Sequence, residues 1–347
     1  MTAAAAALGS VGVDIVSLSS RRLAEAPPGA CARPPIVNAG DGAAPAVPLT
    51  GTGSGTPAGR AFPLSGTAGS RRRARRTTMA GDRPEAAGAE GEADVGSLDG
   101  KTAIVTGAGQ GVGRGIALAL ASEGVSVAVL GRTEAKLEKT CALIRERGAR
   151  AEPLRCDVSD TGSVPDVVEE VAARLGGIDI LVNNAYSGAF GPLLSMSDAD
   201  FQLGFRSGPF AAFAFMKACH PHLKRRGGGS IVNLVTSAMV RWDTSTYGAY
   251  AAAKQAIGSL TRTAAAEWGA DGIRVNCIAP HALSPGLKWW TEHNPAEAEE
   301  FRRTIPLGYI GDCERDIGRA VAVLVGPDMR YLTGATVPLD GGQARFG

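Results

Sequence analysis

The chain has 347 residues and a formal net charge of +2, with 47 glycines, 20 prolines and six cysteines. So small a charge, much of its basic excess gathered in the run Arg71–Arg76, excludes the electrostatic footprint of a nucleic-acid-binding domain. The cysteines stand singly, without C-x-x-C spacing, in a chain too long to need disulfide staples, which points to a reducing, cytoplasmic setting.

Up to about Gly96 the sequence is dominated by Ala, Gly, Pro, Ser, Thr and Arg, with breakers such as Pro27-Pro28-Gly29 and no sustained apolar periodicity. A segment of this kind cannot bury enough apolar surface to offset its ordering entropy, so residues 1–97 are expected to form a disordered, low-complexity extension. Its Arg-rich, acid-poor composition fits a transit peptide or an upstream stretch ahead of a second start at Met79, and the second reading is preferred. The apolar run Val11–Leu18 is interrupted by Asp14 and falls short of the ~20 residues that span a bilayer, so no membrane association is expected. Residues 98–347 are expected to form one domain.

From Lys101 onward short β-branched runs alternate with helical patterns. Strands are predicted at Thr102–Thr106, Val125–Leu130, Ala151–Cys156, Ile178–Val182, Ser230–Leu234, Ile273–Ile278 and Thr336–Leu339. Helices are predicted near Gly113–Ser122, Glu134–Glu146, Val164–Leu175, Asp198–Lys224, Tyr247–Trp268 and Glu314–Val325. The strands are near-continuous apolar runs, which implies burial on both faces. The fold class that follows is α/β, a doubly wound, Rossmann-like parallel sheet of seven strands with its ligand beyond the carboxyl ends.

Three stretches carry chemistry. The first strand runs into Thr106-Gly107-Ala108-Gly109-Gln110-Gly111-Val112-Gly113, directly before a helix. Glycines there permit a tight turn and a close backbone approach to a pyrophosphate, and the helix N-terminus offers N–H groups to the phosphates. At the end of the second strand stands Arg132, where an acidic residue would accept hydrogen bonds from the 2′-OH of NAD and an Arg attracts the 2′-phosphate of NADP. NADP(H) is therefore the expected cofactor, with NAD(H) as the alternative. Finally, Tyr250 and Lys254 are one helical turn apart, so an ammonium sits beside a phenol. That cation, together with the charge of the oxidised nicotinamide, favours the tyrosinate and brings a group of ordinary pKa ~10 into use near neutrality. Tyr247 is a second candidate phenol, but Ala251 occupies the position four residues on. Ser237, 13 residues before Tyr250 and near the end of the fifth strand, can orient a substrate oxygen.

In order and spacing these stretches resemble the short-chain dehydrogenase/reductase family, whose signatures are T-G-x-x-x-G-x-G and Y-x-x-x-K; the resemblance covers about Leu98 to Gly347. It implies Ser237, Tyr250 and Lys254 as the catalytic set. It implies cofactor contacts from Gly107, Gln110, Gly111, Val112, Gly113, Arg132, Asp157, Val158, Asn183, Ala185, Tyr250, Lys254, Pro280 and Leu283. The family often has a basic residue where Gln110 stands, which keeps NAD(H) open. Counting from Asn233 on the strand, Thr236 rather than Ser237 takes the family's usual hydroxyl position. Many members carry an Asn whose bound water relays protons from the Lys; here the alignment puts Gly208 there, so a relay through water held by backbone alone is expected.

Ser284–Trp290 and the acidic stretch Pro295–Arg303 correspond to the family's mobile lid, and Trp289 and Trp290 suggest either a bulky or aromatic substrate or tryptophans that pin the lid to the domain. His281, where the family commonly has Gly, reads as a loop residue or as a donor to cofactor phosphate or substrate. His220 and His222 show no metal-ligand spacing, and no metal is expected. The resemblance further implies hydride transfer between NADP(H) and a small-molecule carbonyl or alcohol, in a homotetramer or homodimer. The alternative is a catalytically silent cofactor-binding sensor or scaffold, against which the intact Ser237, Tyr250 and Lys254 speak.

Overall fold

A computed structural model describes residues 98–240 and 247–346. The N-terminal extension expected over residues 1–97, with its arginine run and its apolar stretch, lies outside the described residues. Seven strands form one parallel sheet: β1 (Thr102–Thr106), β2 (Ser126–Gly131), β3 (Ala151–Arg155), β4 (Ile180–Asn183), β5 (Gly229–Leu234), β6 (Ile273–Pro280) and β7 (Thr336–Leu339). Their spatial order is β3-β2-β1-β4-β5-β6-β7. The chain moves outward from β1 to β3, then returns to place β4 on the other side of β1. The loops leaving β1 and β4 therefore diverge, and such a switch point opens a crevice at the carboxyl ends of the strands.

The inner strands β1, β2, β4, β5 and β6 are buried because helices cover both faces; β3 and β7, expected to be buried as well, are only partly so, since each lies at an edge with a neighbouring strand on one side alone. On one side α1 (Gly111–Ser122) and α9 (Arg319–Val325) pack Ile116, Leu120 and Val321 against Val105, Val129 and Val182. On the other, α3 (Val164–Leu175) and α5 (Ala211–Arg225) pack Val168, Val171, Phe215 and Leu223 against Ile104, Leu130, Leu181 and Ile231. Val105 and Ile104 thus serve opposite faces, as the two-residue period of a strand requires. The remaining helices are α2 (Glu134–Arg145), α4 (Asp198–Phe205), α6 (Gly248–Trp268), α7 (Pro285–His293) and α8 (Pro295–Arg303).

The helix predicted over Asp198–Lys224 is not continuous. A π-helical turn, Arg206–Phe210, separates α4 from α5. Its cause is Pro209, which has no N–H and whose ring would strike the carbonyl one turn back in a regular α-helix. The last predicted helix likewise begins as a π turn, Cys313–Gly318, before α9.

Asp179, just ahead of β4, ties three elements together. Its carboxylate, 5% exposed, accepts from the Thr102 N–H of β1 (3.0 Å), from Lys101 (3.3 Å) and from Arg226 beyond α5 through two bonds of 3.1 Å. Burial alone would raise its pKa. The bonds from Arg226 and Thr102 and the charge of Lys101 outweigh that and hold it below the ordinary carboxylate value. A carboxyl lowered in this way adds stability above its unfolded pKa of ~3.9, and the gain disappears as pH falls through the lower folded value. Asp179→Asn is therefore expected to lower the unfolding free energy by roughly 2–4 kcal/mol at pH 7. In urea titrations of both proteins the gap should narrow at pH 3; a gap independent of pH would show that the charge does not contribute.

Candidate active site

At the end of β1 the chain turns sharply, with Gly107 and Gly111 at φ of +65° and +56°. A side chain at Gly113 has no room, since a Cβ there would lie 2.4 Å from the Asn184 amide nitrogen and 2.6 Å from the Gly107 carbonyl oxygen. That crowding reflects a lacing of the two diverging loops. Asn184 donates to the Thr106 carbonyl (2.8 Å), and the Thr106 hydroxyl accepts from the N–H groups of Asn184 and Ala185, both at 3.0 Å. Helix α1 starts here at Gly111 without a side-chain cap from Gln110. Bare backbone at a tight turn beside the uncapped N–H groups of a helix suits a pyrophosphate, so these residues fit a dinucleotide.

Arg132 stands exposed after β2, and Asp157 follows β3. Burial would raise the Asp157 carboxyl, but its bonds from Ser159 and the positive charge of Arg132 hold it below its usual value. One neighbouring residue escaped the sequence reading. Lys136, on the first turn of α2, donates to the Gln110 side chain at 2.7 Å, bringing a cation to the loop position that lacks one. Arg132 and Lys136 are four residues apart at a helix start, and that spacing was the available signal. Asn184 lines the cavity, whereas Asn183 donates to Asn233 (2.8 Å), which in turn donates to Thr261, in a buried network beneath it.

The second half of the site is built by β5 and α6. The Lys254 ammonium donates to the Leu234 carbonyl at the end of β5 (2.7 Å) and lies 5.6 Å from the centre of the Tyr250 ring. Ser237, Tyr250 and Lys254 are all buried and share one cavity. Thr236 lines it as well, but its hydroxyl accepts the Ala238 N–H (3.2 Å) within the turn that Ser237 begins. Tyr247, just before α6, is the second phenol in the cavity. Phe190 meets Tyr247 and Tyr250 edge-on at 5.4 and 5.5 Å, and with Leu287 of α7 these rings give the cavity an apolar wall.

Pro280 and His281 line the cavity too, and the His281 ring meets Phe301 of α8 edge-on at 5.2 Å. The tryptophans do not join them. Trp290 is buried in a small core with Leu287 and Phe301, and Trp289, half exposed, stacks on His293 at 4.3 Å. Trp290 packs α7 against α8 within the segment itself, where substrate contact or pinning of the lid to the domain was anticipated, because its ring fills the gap between those helices. Leu283 lies exposed at the entrance to α7. His220 and His222 pair with Asp271 and Glu169, each at 2.9 Å.

A glycine cradle at the switch point of a doubly wound sheet, next to a buried Tyr–Lys pair, defines a nicotinamide-dependent oxidoreductase. Comparison with known proteins carries this further. Residues 107–344 match the family model described as enoyl-(acyl carrier protein) reductase. A 12α-hydroxysteroid dehydrogenase of Clostridium sp. is 40% identical over 259 residues, 72% of this chain and 99% of the relative. A 3β-hydroxysteroid dehydrogenase of Eggerthella lenta is 32% identical, over 72% of this chain and 95% of its own. Among solved structures, a 7α-hydroxysteroid dehydrogenase complexed with NADH and 7-oxo glycochenodeoxycholic acid aligns with a TM-score of 0.67 at 31% identity, covering 72% of this chain and 96% of that one. A protein of Beutenbergia cavernae described as an NAD(P)-dependent gluconate 5-dehydrogenase, with NADP bound at low occupancy, aligns with a TM-score of 0.66 at 31% identity, covering 71% of this chain and 98% of that one. The chain belongs to the short-chain dehydrogenase/reductase family. It is an NAD(P)-dependent oxidoreductase acting on the CH–OH or C=O group of a small molecule.

Proposed function

We propose that the protein interconverts a bulky, apolar secondary alcohol and its ketone, of the steroid class, with NADP(H) as cofactor. One observation carries the reading: Ser237, Tyr250 and Lys254 converge in a cavity that Phe190, Tyr247 and Leu287 wall on one side. Ring-shaped apolar surface suits such a wall, and several relatives are hydroxysteroid dehydrogenases.

When bound, the nicotinamide supplies or takes up the hydride at the substrate carbon. The residues handle the proton. Tyr250 gives its hydroxyl proton to the carbonyl oxygen in reduction and takes it back in oxidation, while Ser237 donates a hydrogen bond to that same oxygen. Lys254, fixed on the Leu234 carbonyl, keeps its positive charge beside Tyr250 and so favours the tyrosinate needed for oxidation. Tyr250→Phe is expected to lower kcat by about 10²–10⁴-fold on a steroid ketone with NADPH, measured against protein of unchanged melting temperature. Normal turnover by that variant would overturn the assignment.

Support for NADP(H) comes from two cations a 2′-phosphate would need, Arg132 at the end of β2 and Lys136, which reaches the β1 loop through Gln110. Phe210 and Phe213, exposed at the start of α5, support a homodimer or homotetramer, and Cys141, Cys156, Cys219 and Cys277, buried and free, support a reducing, cytoplasmic setting. Arg132→Ala and Lys136→Ala should each raise the KM for NADPH by about tenfold or more and leave that for NADH nearly unchanged, as read from initial rates with both cofactors. Equal effects on the two cofactors would remove the basis for the preference.

A further inference from the structure

Tyr186 follows β4 and is absent from the catalytic set, yet its ring stands in the middle of it. Its centre is 5.1 Å from the Lys254 ammonium, and the ring meets that of Tyr250 at 4.9 Å and 68°. The ammonium thus has the Leu234 carbonyl at 2.7 Å and aromatic rings at 5.1 and 5.6 Å. Buried cation–π contacts of this kind stabilise a desolvated ammonium.

Three glycines make room for Tyr186. A Cβ at Gly188 would lie 2.5 Å, and one at Gly204 2.7 Å, from its hydroxyl oxygen, and one at Gly208 would lie 3.4 Å from its ring. A Cβ at Gly208 would thus rest in contact with the ring, and a longer side chain extended toward it would crowd the space the ring holds. The two backbones are pinned together next to this contact, since the Ser207 hydroxyl of the π turn accepts the Ser187 N–H at 3.0 Å. Gly208, the position at which the sequence leaves the expected proton relay without a side chain, is thus the floor on which Tyr186 rests. The phenol is sunk between Gly188 and Gly204, and burial pushes its pKa up to about 12, so the ring stays neutral throughout the working range.

We propose that Tyr186 is a positioning residue that holds the Lys254 ammonium against the Leu234 carbonyl and beside Tyr250, acting through its ring face and not its hydroxyl. Gly208 is the condition for it. The inference rests on the reading of Tyr250 as the acid/base. Besides Tyr186 and Tyr250, the titratable groups around Lys254 among the described residues are Cys277 of β6, whose thiol pKa burial pushes up, together with Tyr247 and His281 of the cavity.

The test is the pH dependence of kcat and kcat/KM for alcohol oxidation in Tyr186→Leu and Tyr186→Phe. Tyr186→Leu should lose about 5–30-fold in kcat and shift the acid limb upward by roughly half to one pH unit, because the cation is held less firmly beside the tyrosinate. Tyr186→Phe keeps the ring and should match the parent enzyme. Gly208→Asn, which displaces the ring without deleting it, should reproduce the Leu variant and serves if the Leu variant does not fold. An unchanged profile in the folded Leu or Asn variant would overturn the proposal, as would a Phe variant as impaired as the Leu variant. An active Tyr250→Phe would instead break the underlying reading, so the two failures are distinguishable.

Discussion

The short bond from the Lys254 ammonium to the Leu234 carbonyl is the contact on which the site depends. A lysine buried this deeply keeps its charge only where fixed dipoles and π faces replace water, and the end of β5 supplies the first of these. Because Leu234 is held in register with Ile278 of β6, the carbonyl is a rigid reference point. The sheet therefore sets where the cation sits, and α6 sets where Tyr250 sits relative to it.

The same logic explains why the cofactor cradle and the chemical end belong to one crevice. The order β3-β2-β1-β4-β5 sends the loops after β1 and β4 apart, and Asn184 and Thr106 then stitch their roots together. Asn233, inside β5, connects by hydrogen bonds to Asn183 on one side and Thr261 of α6 on the other. A buried polar network running from β4 through β5 into α6 ties the helix that carries Tyr250 to the strands that shape the cradle. At its centre Asn233 uses both ends of its amide, accepting from Asn183 and donating to Thr261, and such pairing is the condition under which buried polar groups fix a geometry instead of weakening a core.

Most of the frame could be read from the sequence. All seven strands lie within a few residues of where the sequence pattern puts them, and the five inner ones gave the strongest signal because parallel strands buried on both faces read as continuous apolar runs. The break at Arg206–Phe210 was less legible: its Pro209 was visible, but the flanking apolar pattern continued through it, and only packing decided that the helix would absorb the proline as a π turn. Tyr250, Lys254 and Ser237 announced themselves by spacing. Lys136 and Tyr186 did not, since one acts across 26 residues of chain to Gln110 and the other becomes informative only when Gly188, Gly204 and Gly208 are seen around it. The tryptophans show the converse, two conspicuous residues of which the structure uses one to pack α7 against α8.

The account turns on a cation that favours the ionised form of a neighbouring phenol. Its most direct test is the pH dependence of kcat/KM for alcohol oxidation, at saturating cofactor, in the parent enzyme and in Lys254→Met. The parent should show an acid limb well below the ordinary phenol value of ~10, and removal of the cation should move that limb upward toward it. An acid limb in the same place in both proteins would contradict the account.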